Sequence, residues 1–185
     1  MKALGIILAG GNSSRMQQLT DKRAIAAMPI GGSYRCIDFV LSNMTNSHIQ
    51  TVAVLSQYNA RSLNEHLNSS KWWNFGRKQG GLFLFTPTVT TNNSWWYRGT
   101  ADAIWQNIDF LKKRHEPYVI IASGDCVYKL DFNKVLDYHI AKQADITVVS
   151  LPLRRPHERR RGGLRAALGH RGARAVGRRR DIRWR

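Results

Sequence analysis

The sequence predicts an α/β protein, a doubly wound and mostly parallel sheet with a helix between successive strands. Two observations carry this. Uninterrupted apolar runs at Ala3–Leu8, Thr51–Leu55 and Tyr118–Ala122 have the composition of strands covered on both faces. Between them stand mixed stretches with helical spacing, and that alternation is the pattern of βαβ units. Ligands of such sheets sit at the carboxyl ends of the strands, so residues that follow each apolar run are the first candidates for a site.

Taken in order, Ala3–Leu8 forms the first strand and ends at Gly10-Gly11. Gln17–Asp21 is polar, Lys22-Arg23 opens an alanine-rich segment, and Met28-Pro29-Ile30-Gly31-Gly32 is a break. Tyr34–Ser47 is expected to be a helix, because Cys36-Ile37, Val40-Leu41 and Met44 recur at helical spacing with Asp38 near the start. Thr51–Leu55 is the second strand. Ala60–Leu67 is a helix with Leu63 and Leu67 four apart. A long loop over 71–81 carries Trp72, Trp73 and Phe75, Leu82–Phe85 is a short strand, and Thr86–Tyr97 is loop. Thr100–Arg114 reads as one helix with Ala103, Ile104, Ile108 and Leu111 as its stripe, and Pro117 lies beyond it. Tyr118–Ala122 is a buried strand, Phe132–Lys142 a helix and Ile146–Ser150 the next strand.

Two strand ends carry the chemistry. Gly10-Gly11 lets backbone N–H groups approach an anion, which larger side chains would block, and Arg15 adds a fixed positive charge with several donors. An ordinary strand-to-loop turn uses glycines in the same way. The stretch fits neither the dinucleotide fingerprint nor the Walker loop. Asp125, after Ser123-Gly124, is placed to hold Mg²⁺, which takes oxygen ligands and bridges to phosphates; a solvated loop aspartate or a helix cap is the plainer alternative. Together on one rim, the two strand ends suit a nucleoside triphosphate with its metal, and phosphoryl or nucleotidyl transfer. Gly99-Thr100, at the start of a helix, offers backbone donors and a hydroxyl, or simple capping. Trp72, Trp73, Trp95 and Trp96 stand at non-periodic loop positions, suited to stacking on a base or to a subunit contact. The six histidines show no ligand spacing.

Composition bounds the rest. A chain of 185 residues has room for one domain with a real core. Its net charge of +17 is unevenly spread: residues 1–150 carry 16 Lys and Arg against 10 acids, whereas 151–185 carry 13 Arg against 2. Cys36 and Cys126 are too few for a disulfide scaffold or a zinc cluster. The apolar run after Lys2 is too short for a signal peptide or a membrane span. A cytoplasmic protein without membrane association is the expectation. From Arg154 onward the periodicities vanish and arginine, glycine and alanine dominate. That segment reads either as a basic tail that binds polyanions by charge or as out-of-frame text joined after an unfinished sheet. It holds too few apolar residues to fold alone. No base-reading motif accompanies its charge, so nucleic acid is not expected as the partner.

Several long motifs in a fixed order then resemble ADP-glucose pyrophosphorylase (glucose-1-phosphate adenylyltransferase), in the sugar-nucleotidyltransferase superfamily. They run from Ile7 to Arg15 (ILAGG…SR), Lys22 to Asn43 (KRA…YR.IDF.LSN) and Gln57 to His66 (QY…SLN.H), then Trp96 to Asn107 (WYRGTADA..QN) and Ser123 to Asp131 (SGD..YK.D). The resemblance covers about four fifths of the chain. It implies the nucleotide-diphospho-sugar transferase fold, Rossmann-like, and a reaction of glycogen synthesis: ATP and glucose 1-phosphate give ADP-glucose and pyrophosphate with Mg²⁺. It implies that Gly10, Gly11 and Arg15 hold the triphosphate, that Gln57, Gly99 and Thr100 lie around the nucleotide, and that Asp125 is catalytic and binds the metal, with Arg15 as the second catalytic residue.

The departures shape the expectation further. Ser13 replaces the third glycine of the family loop, Ile25 replaces a lysine of the active-site region, and Cys126 follows the aspartate where catalytic members carry histidine. Such losses resemble the auxiliary GlgD-type subunit, which pairs with a catalytic subunit and is weak or inactive alone. The chain is therefore expected to hold the N-terminal part of a nucleotidyltransferase domain over 1–153 and the arginine-rich tail over 154–185. The sugar-binding half, a second metal carboxylate and the family's C-terminal left-handed β-helix are expected to be absent from it.

Overall fold

The computed structural model describes residues 3–11, 14–68, 73, 75, 80–88, 96–150 and 173–176, with the backbone alone at 14, 15 and 173–176. The chain divides into two units, Met1–Leu130 and Asp131–Arg185. In chain order the first holds β1 (Ala3–Leu8), β2 (Pro29–Ile30), β3 (Tyr34–Arg35), α1 (Cys36–Asn46), β4 (Thr51–Leu55) and α2 (Ala60–Asn68), then β5 (Gly81–Phe85), α3 (Thr100–Gln106), α4 (Ile108–Lys112) and β6 (Tyr118–Ser123). Short 3-10 turns occupy Ser14–Leu19 and Ile25–Ala27.

The four apolar strands form one parallel sheet in the order β5-β4-β1-β6. β1 is central: Ile6 pairs with Ala53 on one side and Ile121 on the other, and Leu8 with Leu55 and Ser123. Helices cover both faces, so the sheet is doubly wound as expected. On one face Leu4 and Ile6 cluster with Leu55, Tyr97 and Ala103, and Ile104, Phe110 and Leu111 pack against them. On the other, α1 lies so close that a Cβ added at Gly5 would sit 2.9 Å from Met44 Sδ. Fully buried Leu4, Ile6, Ile7, Ile37, Leu41 and Leu63 each stabilise by about 1.5–3 kcal/mol relative to exposure.

Four differences from the sequence reading have local causes. The expected helix from Tyr34 begins only at Cys36, because Tyr34 and Arg35 pair antiparallel with Ile30 and Pro29. The expected single helix over Thr100–Arg114 breaks at Asn107, whose Nδ2 donates to Ala103 O (2.8 Å) and Tyr97 Oη (3.1 Å), a local side-chain alternative to a continued helix. β6 is buried on one face only: Ile120 and Ala122 are buried, whereas Val119 and Ile121, at the sheet's edge, are 47 % and 54 % exposed.

The fourth concerns the second unit, which holds α5 (Phe132–Ala141), β7 (Ile146–Val149) and β8 (Ala173–Val176). Asp131 caps α5 by accepting from the Asn133 N–H. β7 does not continue the parallel sheet; it pairs antiparallel with β8, a strand within the arginine-rich segment where the sequence showed no strand period. Among the described residues no helix is long and apolar enough to cross a membrane.

Candidate functional site

The chain leaves β1, β4 and β6 at the same edge of the sheet, and a cleft of about 390 Å³ opens there. The strand order reverses at β1: the chain steps from β1 to β4 and β5 on one side, then crosses back to lay β6 on the other, and such switch points are where α/β sheets hold ligands. Of the residues that the sequence singles out, Gly10, Gly11, Gln57, Gly99, Thr100 and Asp125 all line this cleft. The side chain of Arg15 lies outside the described residues, as do Trp72 and Trp95. Trp73 is buried away from the cleft, edge-on to His66, and its carbonyl accepts from Thr45 Oγ1.

Gly10 is the first residue clear of the sheet, since the Ala9 N–H still donates to Leu55 O (2.8 Å). A Cβ at Gly10 would lie 3.4 Å from Gln57 Cβ, and one at Gly11 3.7 Å from Ile25 Cδ1. Both are ordinary contacts, so the protein itself has room for a methyl group at either position. Gln57 follows β4, and its Oε1 is buried without a hydrogen-bond partner among the described residues. That leaves an acceptor whose desolvation is uncompensated until a donor reaches it. Asn59, in the left-handed region (φ 47°), ties this loop to the one after the glycines by donating to Thr20 O and Asp21 O.

The opposite wall is built by the segment before α3. Tyr97 is buried and accepts from Asn107 Nδ2, while the Arg98 N–H donates to Asp102 Oδ2 (2.9 Å). Gly99 has extended backbone (φ 166°) and open space where a Cβ would stand. Trp96 stacks on Tyr58 with ring centroids 5.2 Å apart, bridging the two walls. Tyr58, Tyr97, Arg98 and Ser123 also line the cleft, and the sequence reading gave none of them a role. Each stands inside one of the motifs quoted above, Tyr58 in QY, Tyr97 and Arg98 in WYRGTADA and Ser123 in SGD, and that membership was the available signal.

Asp125 is placed by Gly124. The Gly124 N–H donates to Leu8 O (2.9 Å), and a Cβ there would press on Ile7 Cγ2 at 3.1 Å and Leu8 O at 3.3 Å. The exposed Asp125 carboxylate accepts through Oδ1 from the Ser123 hydroxyl and the Cys126 thiol, and no protein partner holds Oδ2 among the described residues. Cys126 is exposed, yet partial desolvation raises its thiol above the ordinary value, and the adjacent Asp125 carboxylate pushes the same way. Burial likewise raises Cys36. No group of three His, Cys, Asp or Glu side chains converges among the described residues. One open carboxylate on the cleft that Gly10 and Gly11 also line is a donor of the kind Mg²⁺ takes, since that ion keeps several waters and binds through one or two carboxylates plus substrate phosphates.

Fold and cleft together define the class: an α/β protein with a cleft at the carboxyl ends of a parallel sheet. A family model described as "Nucleotidyl transferase" matches residues 4–170, and the chain belongs to that family. It is 45 % identical over 147 residues to glucose-1-phosphate adenylyltransferase from Geobacillus stearothermophilus, covering 80 % of this chain and 38 % of that protein. It is 46 % identical over 150 residues to the enzyme of that name from Lachnospira eligens (81 % and 36 %) and 45 % over 163 residues to that from Clostridium perfringens (87 % and 41 %). The chain thus spans about two fifths of the length of these relatives.

Proposed function

We propose that this cleft is the nucleotide half of a glucose-1-phosphate adenylyltransferase site of glycogen synthesis. The observation that carries the reading is the convergence of three strand ends. They bring N–H-bearing glycines, a buried unpaired acceptor and an open carboxylate to one cleft. Gly10 and Gly11 would receive the triphosphate of ATP, with Arg15 as its counter-charge. Gln57 Oε1 would accept from the amino group of the base, and Gly99 and Thr100 would close around the nucleoside. Asp125 would hold Mg²⁺, which, when bound, neutralises phosphate charge. In the reaction a phosphate oxygen of glucose 1-phosphate attacks the α-phosphorus of ATP and pyrophosphate leaves. This chain's own contribution is to bind and align the nucleotide.

A second reading is a regulatory subunit that pairs with a catalytic partner, and Ile25 favours it. Its Cδ1 stands on the cleft wall beside Gly11, where an apolar group cannot offset phosphate charge. Titration calorimetry with ATP tests the first point. The Gly11→Ala variant is expected to unfold like the wild type yet bind ATP about tenfold more weakly, which is 1.4 kcal/mol. A wild-type chain that binds no ATP ends the nucleotide reading. An ADP-glucose assay on Ile25→Lys, made in a chain extended to the full length of its relatives, then separates the two readings, since activity gained marks a silenced enzyme site.

A further inference from the structure

Asp125 sits on a stretch that has no secondary structure of its own: 124–131 runs from the end of β6 as turn and irregular chain. Upstream it is anchored by the Gly124 N–H on Leu8 O. Downstream, what holds it is one buried side chain of α1. Asn43, 5 % exposed, donates through Nδ2 to Tyr128 O (2.9 Å) and accepts through Oδ1 from the Leu130 N–H (3.3 Å). Both ends of the amide are used, and no other side chain group besides these bonds to the backbone of 126–130 among the described residues. Asn43 lies in the LSN motif, whose polar residue the nucleotide reading leaves without work. A buried asparagine in mid-helix is costly unless its amide is satisfied, so its place on the inner face of α1 follows from these two bonds.

We infer that Asn43 is a positioning residue for the Asp125 carboxylate: it fixes the chain just beyond Asp125 so that the carboxylate meets a nucleotide-bound divalent cation in one orientation. The inference rests on the nucleotide reading for its ligand, and on the two hydrogen bonds alone for its mechanics. It predicts a split effect. Loss of Asn43 should weaken the cation's hold and leave contacts made by Gly10, Gly11 and Gln57, on other strand ends, unaltered. Outer-shell partners of metal ligands commonly account for about 10–100-fold in metal affinity, and a shift in that range is expected here.

The test uses the full 185-residue chain with Asn43→Ala and Asn43→Asp, the latter keeping an acceptor for Leu130 and losing the donor to Tyr128. ATP affinity is measured by calorimetry with excess EDTA and with Mg²⁺, and amide hydrogen exchange is followed over 124–131. Expected are unchanged ATP affinity in EDTA, a Mg²⁺ requirement raised about 10-fold or more, and faster exchange confined to that stretch. Wild-type Mg²⁺ dependence and exchange in a folded Asn43→Ala variant would overturn the inference. Should that variant not fold, the same result in Asn43→Asp would overturn it. If the wild type binds no ATP, the nucleotide reading fails by itself, and the exchange measurement alone decides whether Asn43 positions the segment.

Discussion

Gly124 occupies a place where a methyl group has no slack. Its would-be Cβ meets a side chain of β1, a backbone oxygen and Ala26 at 3.1–3.4 Å. Gly124→Ala is therefore expected to cost about 1–3 kcal/mol of stability, the usual range for overpacking, read as a lowered urea midpoint. Gly99, with open space around it, should accept alanine without that loss. Glycines that look alike in sequence thus differ in what they are for. Gly124 brings β6 against β1, whereas Gly10 and Gly11 leave a surface free. The sequence exposed the positions of Gly10, Gly11 and Gly124, because they follow strand-like runs, but not this distinction, which depends on neighbours far along the chain.

Between α1 and α2 a polar clamp joins two of the motifs. Asp38 accepts from the Arg35 N–H through Oδ2 (2.9 Å) and pairs through Oδ1 with His66 Nε2 (2.6 Å), while Arg35 Nη1 donates to Ser62 O and Oγ. Removing one partner of such a buried group leaves the other desolvated and unsatisfied. His66→Ala should lower stability by about 1–3 kcal/mol in chemical denaturation; a change within about 0.5 kcal/mol, typical of plain surface sites, would show that the clamp contributes nothing. The helices themselves were legible from apolar spacing, as Leu63 and Leu67 on α2 show, both buried. The clamp was not, since no periodicity links Asp38 to His66. The break at Asn107 escaped for a similar reason: its cause is a bond to Tyr97, not a helix-breaking residue.

Across the whole molecule the parallel sheet was legible because its strands are continuous apolar runs. The half-exposed face of β6 was not, because an edge strand and a central one share that composition. Charge is unevenly distributed, with +11 of the net +17 on residues 151–185. Heparin retention should accordingly fall steeply with salt, and deletion of 154–185 should bring elution to much lower ionic strength. Unchanged elution would place the polyanion contact on the remaining chain.

The order of strands also sets a timetable. β1 is first in sequence and central in space, with Leu8 beside Leu55 on one side and Ser123 on the other, more than a hundred residues on. Such distant parallel pairing is the slow part of folding, since the intervening chain must be closed before contacts reward it. The cleft needs the carboxyl ends of β1 and β6 side by side, so it cannot be complete before that distant pairing is made.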